Sequence, residues 1–204
     1  NPWGLGMNWL TFLTSLQAGA GTAAMWAPVF DQHCKPEAFS LGYDELDDFV
    51  GQILHESTML TRLEESLRYK SAERICAVWP RRFPPQAEAT PFVDIPIALA
   101  NQVYGGRMGI VNPDDGWNFR GRGLIQVTGR GNYAAVSKAI GVDLVKDPTL
   151  MTRPAIALQS AIAWWEGNVP DHIMGDIVKV TKRVNGGTHG LAHRTELTDK
   201  SRGS

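Results

Sequence analysis

At 204 residues, 43% hydrophobic and 20% charged, the chain is long enough for one domain with a real core. A formal net charge of -1 removes any strong electrostatic case for nucleic acid as a partner. Two cysteines, Cys34 and Cys76, make neither a disulfide framework nor a metal spacing, and no apolar run reaches the length of a membrane span. Both cysteines read as buried thiols, with a single bridge between them left open.

In chain order, residues 1–6 and 201–204 read as appendages outside a single domain over 7–200. The apolar stretch Trp9-Leu10-Thr11-Phe12-Leu13 lacks a basic flank, which argues against a signal peptide. Met7 to Ala18 and Thr22 to His33 read as two short helices split by Ala18-Gly19-Ala20-Gly21. The clearest periodicity follows. Leu46, Phe49, Val50, Ile53 and Leu54 fall at i, i+3, i+4, i+7 and i+8, one apolar face of a helix with Asp44 as its N-cap.

Taking about 100° per residue, Glu56 lies roughly 80° from Leu46, at the margin of the apolar stripe. That half-desolvated place suits a proton donor. Glu65 follows nine residues later, about half a helical revolution round. The two carboxylates can confront each other only if the chain breaks between them. Ser57, Thr58 and Thr61, poor helix-interior residues, supply grounds for such a break. Facing carboxylates are what glycosidic bond cleavage requires: one protonates the leaving oxygen and the other activates water. The alternative on spacing alone is an end-of-helix acid and a solvated pair at Glu64 and Glu65.

Ser71 to Val78 reads as a helix capped by Ser71 and closed by Pro80, Pro84 and Pro85. Asp94 is the expected cap of the next, which ends at Tyr104 before Gly105-Gly106. Asn112-Pro113-Asp114-Asp115-Gly116 is a dense turn signal. Trp117 to Gln126 is the one convincing place for β-structure, a hairpin or small sheet. Asn132 to Ile140 is helical and closes at Gly141. Leu158, Ile162 and Trp165 mark a buried helical stripe, and Asp176 to Val184 and Leu191 to Leu197 are two final helices. The sum is a mainly α protein with a minor β lobe.

Two motifs fail. His55-Glu56 would need a second histidine at position 59, where Met59 stands, to bind zinc as a protease. Gly121-Arg122-Gly123 lacks the third glycine of a dinucleotide loop, Gln126 occupying its place. The stretch from Trp117 to Tyr133 instead offers Gln126, Thr128, Asn132 and Tyr133 beside aromatic rings, neutral polar groups suited to sugar hydroxyls and amides. Asn185, before Gly186-Gly187, is either a helix terminus or a cleft residue.

Five blocks in order resemble glycoside hydrolase family 19. They are His55-Glu56-Ser57; Arg62-Leu63-Glu64-Glu65-Ser66-Leu67; Ser71-Ala72-Glu73-Arg74 with Val78-Trp79-Pro80-Arg81-Arg82-Phe83; Gly121 to Gly129; and Val184-Asn185-Gly186-Gly187. The family holds chitinases and the related wall-lysing endolysins of bacteriophages, to which the chain is most similar. The resemblance implies a lysozyme-like helical fold with a small β lobe, a cleft between lobes and an inverting mechanism. It assigns Glu56 as general acid, Glu65 as general base and Thr128 as the hydroxyl that helps hold the attacking water. Gln126 and Asn185 match substrate contacts, and Arg194 matches an arginine paired near the acid. Tyr104, Trp117 and Tyr133 are the candidate sugar-binding wall. Met59-Leu60 and His189 depart from the chitinase pattern, and His189 should weaken the charge network around Arg194.

The expected activity is endolysin-type cleavage of β-1,4 bonds in the peptidoglycan glycan strand. The alternatives are a chitinase on N-acetylglucosamine polymers, a lytic transglycosylase and a non-catalytic wall-binding module. No cofactor and no metal are called for. The expected form is a monomer that binds no nucleic acid and stays in the host cytoplasm until a separate permeabilising protein releases it to the wall.

Overall fold

The computed structural model describes residues 8–106, 109 and 112–203. Residues 1–6 and Met7, expected to precede or open the first helix, lie outside them, as does Ser204. In chain order the described helices are α1 (Trp9–Ser15), α2 (Ala20–His33), α3 (Tyr43–Glu56), α4 (Ala72–Val78), α5 (Gln86–Ala89) and α6 (Pro96–Tyr104). They continue with α7 (Asp115–Asn118), α8 (Arg130–Ile140), α9 (Pro154–Asn168), α10 (Ile177–Asn185) and α11 (Leu191–Gly203). None of these helices is long and apolar enough to cross a membrane. The described chain divides into two compact units. The first holds the chain up to Leu63, Gly123–Gln126 and everything from Thr149 on; the second holds Glu64–Arg122 and Val127–Pro148.

The first unit is built around α3. Every residue from Glu45 to Leu54 is buried. The predicted apolar face does its work: Leu46, Phe49, Val50, Ile53 and Leu54 are all within 1% of full burial. Phe49 meets the edge of Trp165 in α9 at a centroid distance of 5.5 Å. Such aromatic pairs add a little to the area term. The start of the helix differs from expectation. Gly42, at φ +62°, takes the cap position, and Asp44 sits in the first turn without a capping hydrogen bond. Glycine alone adopts that backbone without strain, so the turn into α3 needs no side-chain cap.

Behind the apolar face runs a polar stripe, Asp48, Gln52 and Glu56 at i, i+4 and i+8, buried at the first two and partly exposed at Glu56. Its partners lie mainly on α11 at the same spacing, Arg202 and Arg194. Arg202 Nη2 donates to Asp48 Oδ1 at 2.9 Å, and Arg194 Nη1 and Nη2 donate to Gln52 Oε1 and Glu56 Oε1, each at 2.6 Å. Ser201 Oγ adds a 2.7 Å bond to Asp47 Oδ1. The register fixes the two helices antiparallel. Between the end pairs, Gly51 faces Thr198, whose Oγ1 would lie 1.9 Å from any Cβ at that position. The helices can approach this closely only because residue 51 has no side chain. Ser201 and Arg202, expected to be an appendage, are thus inside the last helix and bonded to the core. A tail judged by sequence alone gives no sign of the carboxylates that await it.

A further buried carboxylate, Glu45, is held by Trp165 Nε1 at 2.7 Å, Ser40 Oγ at 3.0 Å and Leu41 N at 3.1 Å. Glu166 lies beside it. Burial first, and then the Glu45 carboxylate, push Glu166 from its ordinary 4.5 up to about 7. Cys34 is a free buried thiol, pushed above its ordinary range by burial alone, and Cys76 is free and only partly buried.

The second unit packs Leu67, Ile75, Phe83, Leu99 and Val103 into its own core. Ser71 caps α4 as expected, accepting from Arg74 N at 3.3 Å. Gly141 ends α8 in the left-handed conformation, also as expected. Asp94 does not cap α6. Ile95 precedes the helix with Pro96 in its first turn, and Asp94 pairs instead with Arg68 at 2.6 Å and Lys70 at 2.9 Å.

The expected β lobe is a correction. Within the second unit, Trp117 belongs to a one-turn helix, and only isolated bridges link Arg122 to Glu64 and to Val127. The backbone turns too often for a strand: Gly123 stands at φ +82° and Gln126 at φ +56°. Arg122 is buried and hydrogen-bonded through its side chain rather than alternating outward.

Two predictions concern stability. Gly51→Ala should overpack the α3–α11 contact and lower stability by about 1–3 kcal/mol, read from urea unfolding midpoints at unchanged m-value. Glu166→Gln should raise Tm at pH 8, because a carboxyl whose pKa is raised on folding costs stability as pH climbs through its range of 4.5 to about 7. The gain should shrink below pH 5, where the native carboxyl is protonated; a pH-independent difference would refute the assignment.

Candidate active site

In the first unit, α3 ends at Glu56 and the chain breaks immediately. Thr58, Met59 and Leu60 have φ of +50°, +55° and +68°, three consecutive left-handed residues without a glycine. Each such residue costs roughly 1–2 kcal/mol, so something must hold the turn. Ser57 does. It is fully buried, and its Oγ accepts from Leu60 N at 2.9 Å while its carbonyl accepts from Thr61 N at 3.0 Å and Arg62 N at 2.8 Å. Met59 N is bonded to Leu54 O at 2.8 Å. The break foreseen from Ser57, Thr58 and Thr61 is therefore present, and Met59 belongs to its backbone geometry.

Glu56, Gln126, Asn185 and Arg194 line one cavity of about 430 Å³ within this unit. Four residues singled out from sequence positions 56 to 194 therefore meet. Glu56 is one-fifth exposed, at 19%, and its Oε1 is held by the fully buried Arg194. Arg194 is in turn fixed by Gln52 Oε1, and Gln52 Nε2 donates to Thr181 Oγ1 at 3.1 Å. Arg194 Nε donates to the main-chain oxygen of His189 at 3.0 Å. The departure at His189 thus leaves the network intact, since any residue offers that carbonyl and Gln52 supplies the side-chain acceptor. Gln126 Nε2 donates to Gly123 O at 3.1 Å, and Gly123 N donates to Leu63 O at 2.8 Å, which stitches the 123–126 segment to the chain leaving α3.

Sequence reasoning missed three neighbours in the same cavity: His55, His193 and Arg62. The available signals were the adjacency of His55 to Glu56 and the i, i+4 spacing of His189 and His193. His55 Nδ1 lies 2.9 Å from His193 Nδ1, so one ring donates to the other. Its ring also fills the space over Gly190, where a Cβ would meet it at 2.2 Å; Gly190 has φ +73°. Burial, then the Arg194 charge and the two other histidines, push His55 down to about 4. It stands as a neutral wedge between Glu56 and the turn that opens α11. Among the described residues no group of three or more His, Cys, Asp or Glu side chains could hold a metal ion.

In the second unit Glu65 has a different environment. Tyr104 Oη donates to its Oε1 at 2.6 Å and Gly121 N donates to its Oε2 at 3.0 Å. Burial, and then the Glu65 charge, push the Tyr104 hydroxyl above its ordinary range, so it remains a donor. Neighbouring Glu64 pairs with Arg120 and, at 3.6 Å, with Arg122. Burial, with the Arg122 charge second, pushes Arg120 down to about 10. Thr128 is partly buried between Val127, bonded to Arg122 O at 2.9 Å, and Gly129, bonded to Phe119 O at 2.8 Å.

Of the three aromatics expected to form a sugar wall, Tyr133 needs correction. Tyr133 is completely buried; its hydroxyl donates to Arg120 O at 2.6 Å and accepts from Arg122 Nη1 at 3.2 Å. It braces the arginines that flank Glu64 and offers no face to a sugar. Tyr104 is turned to Glu65. Trp117 is partly exposed, with the Arg120 guanidinium 3.6 Å from its ring centroid.

Residues 97–181 match the family model described as chitinase class I, glycoside hydrolase family 19. A Haemophilus influenzae protein described as containing a glycosyl hydrolase family 19 domain is 34% identical over 153 residues, covering 73% of this chain and 74% of that one. An Arabidopsis thaliana endochitinase is 41% identical over 73 residues, but those are 35% of this chain and 26% of that protein. Chitinase C from Streptomyces griseus shares the fold with a TM-score of 0.56 at 15% identity, covering 98% of this chain and 94% of that one. A likeness that spans about three quarters of both chains decides the matter: this chain belongs to glycoside hydrolase family 19 and is a glycoside hydrolase.

Proposed function

We propose that the enzyme hydrolyses β-1,4 bonds in the glycan strand of peptidoglycan, as an endolysin does, with Glu56 as general acid and Glu65 as general base. The observation that carries the reading is Glu56 itself. Its Oε1 is pinned by a buried arginine while the carboxyl borders a cavity lined by the amides of Gln126 and Asn185. An acid must be oriented before it can deliver a proton to a glycosidic oxygen, and a fixed Oε1 leaves Oε2 to carry that proton. Amide side chains at such a cavity suit the acetamido and hydroxyl groups of an N-acetylated sugar.

Glu65 suits the complementary task. Both of its oxygens accept hydrogen bonds from neutral donors, which orient the carboxylate and leave it further lone pairs for a water. In an inverting reaction that water loses a proton to the base as it attacks the anomeric carbon, and the leaving oxygen takes one from the acid. Thr128, in the same unit as Glu65, is the proposed second ligand of that water. A chitinase reading is favoured by the local likeness to the Arabidopsis endochitinase; it uses the same acid and base on a neutral N-acetylglucosamine polymer.

Glu56→Gln should lower kcat by about 10²–10⁴-fold; the amide oxygen still accepts from Arg194, so the fold should persist, with a lowered Tm because the buried guanidinium loses its counter-charge. Retained turnover would end the assignment. Digests of purified peptidoglycan and of chitin oligomers, with products identified by mass, should show muramoyl reducing ends with one water added. Cleavage of chitin alone would replace the peptidoglycan reading by the chitinase one, and anhydro ends would replace hydrolysis by transglycosylation.

A further inference from the structure

The cavity beside Glu56 has an unbalanced charge. Glu56 is the one carboxylate among its lining residues, and Arg194 already engages it. Against it the lining sets two guanidinium groups, that of Arg194 itself and that of Arg62, beside the rings of His55, His189 and His193. Arg62 has no carboxylate within ion-pair distance among the described residues, although its backbone N–H is fixed. The left-handed run at Thr58, Met59 and Leu60 folds the chain back on Ser57, and Arg62 N closes that turn on Ser57 O at 2.8 Å. Six residues after the acid, the turn delivers an exposed guanidinium to the acid's own cavity.

A neutral polymer of N-acetylglucosamine carries no anion for that charge to meet. We propose that Arg62 is a specificity-determining residue that binds a carboxylate borne on a side group of the glycan. The lactyl group of a muramic acid residue, or the acidic peptide attached to it, has this chemistry. The inference rests on reading the cavity as the glycan-binding site and deepens it by naming an acidic glycan as the preferred substrate. A guanidinium is suited to the task, because its planar donors match the two oxygens of a carboxylate. The one carboxylate in the lining is already paired with Arg194 and does not compete for Arg62. The surrounding histidines add no negative charge, and His55 is held neutral by burial first and then by the Arg194 charge.

The test is binding, so that it does not depend on turnover. In a Glu56→Gln background, which keeps ligands intact, calorimetry compares N-acetylglucosaminyl-β-1,4-N-acetylmuramic acid with the same disaccharide carboxyl-reduced to the alcohol. The acidic ligand should bind about ten-fold more tightly at low salt, and the advantage should shrink as ionic strength rises. Adding Arg62→Gln should abolish the preference, while Arg62→Lys, which keeps the charge, should retain part of it. Equal affinities for the two ligands, or a preference that survives Arg62→Gln, would overturn the role of Arg62 while leaving the glycan-site reading standing. Absence of binding by both ligands would overturn the glycan-site reading and this inference with it.

Discussion

The structure around Glu56 depends on one buried cation. Arg194 has no exposure to solvent and spends its donors on Glu56, on Gln52 and on the His189 carbonyl. A buried guanidinium is tolerable only when its hydrogen bonds are made, and breaking a buried pair by removing one partner typically costs about 3–5 kcal/mol. That penalty is what makes the position of Glu56 definite. The carboxylate cannot swing away without leaving a charge unpaired in the core. The same logic repeats eight residues along each helix, where Arg202 meets the fully buried Asp48. Two such ties set the register of α3 on α11, and the missing side chain at Gly51 allows the helices to close on one another between them.

The two carboxylates proposed for catalysis are therefore treated differently by the fold. Glu56 is oriented by a full positive charge drawn from the core of the first unit. Glu65 is oriented by a phenol and a backbone amide within the second, while the nearby arginines are turned to Glu64. An acid and a base have to differ in surroundings if they are to differ in role. Here the difference is in the kind of donor each receives: a buried guanidinium for Glu56, a phenol and a backbone amide for Glu65.

Much of this was legible in the sequence where a local rule suffices. The period of Leu46, Phe49, Val50, Ile53 and Leu54 found α3 and its buried face. Ser71 and Gly141 marked the ends of α4 and α8. The resemblance to family 19 chose Gln126, Asn185 and Arg194, which the fold brings to the same cavity as Glu56. What escaped was set by partners distant in the chain. Asp44 and Asp94 look like caps, but Gly42 starts one helix and Arg68 and Lys70 claim Asp94. Tyr133 looks like a sugar platform until Arg122 and the Arg120 carbonyl are seen to occupy it. Ser201 and Arg202 look like a tail until Asp47 and Asp48 are placed opposite. Polar residues gain their meaning from what they meet, and one-dimensional spacing does not carry that information.

The most direct measurement of the central claim, hydrolysis by a separate acid and base, is the anomeric form of the first product. Proton NMR recorded within minutes of adding enzyme to a soluble β-1,4-linked glycan oligomer reads it before mutarotation intervenes. The α-anomer should appear first, because the inverting two-carboxylate mechanism proposed for Glu56 and Glu65 places the incoming water on the face opposite the broken bond. The β-anomer appearing first, or a product with an anhydro end, would contradict the account.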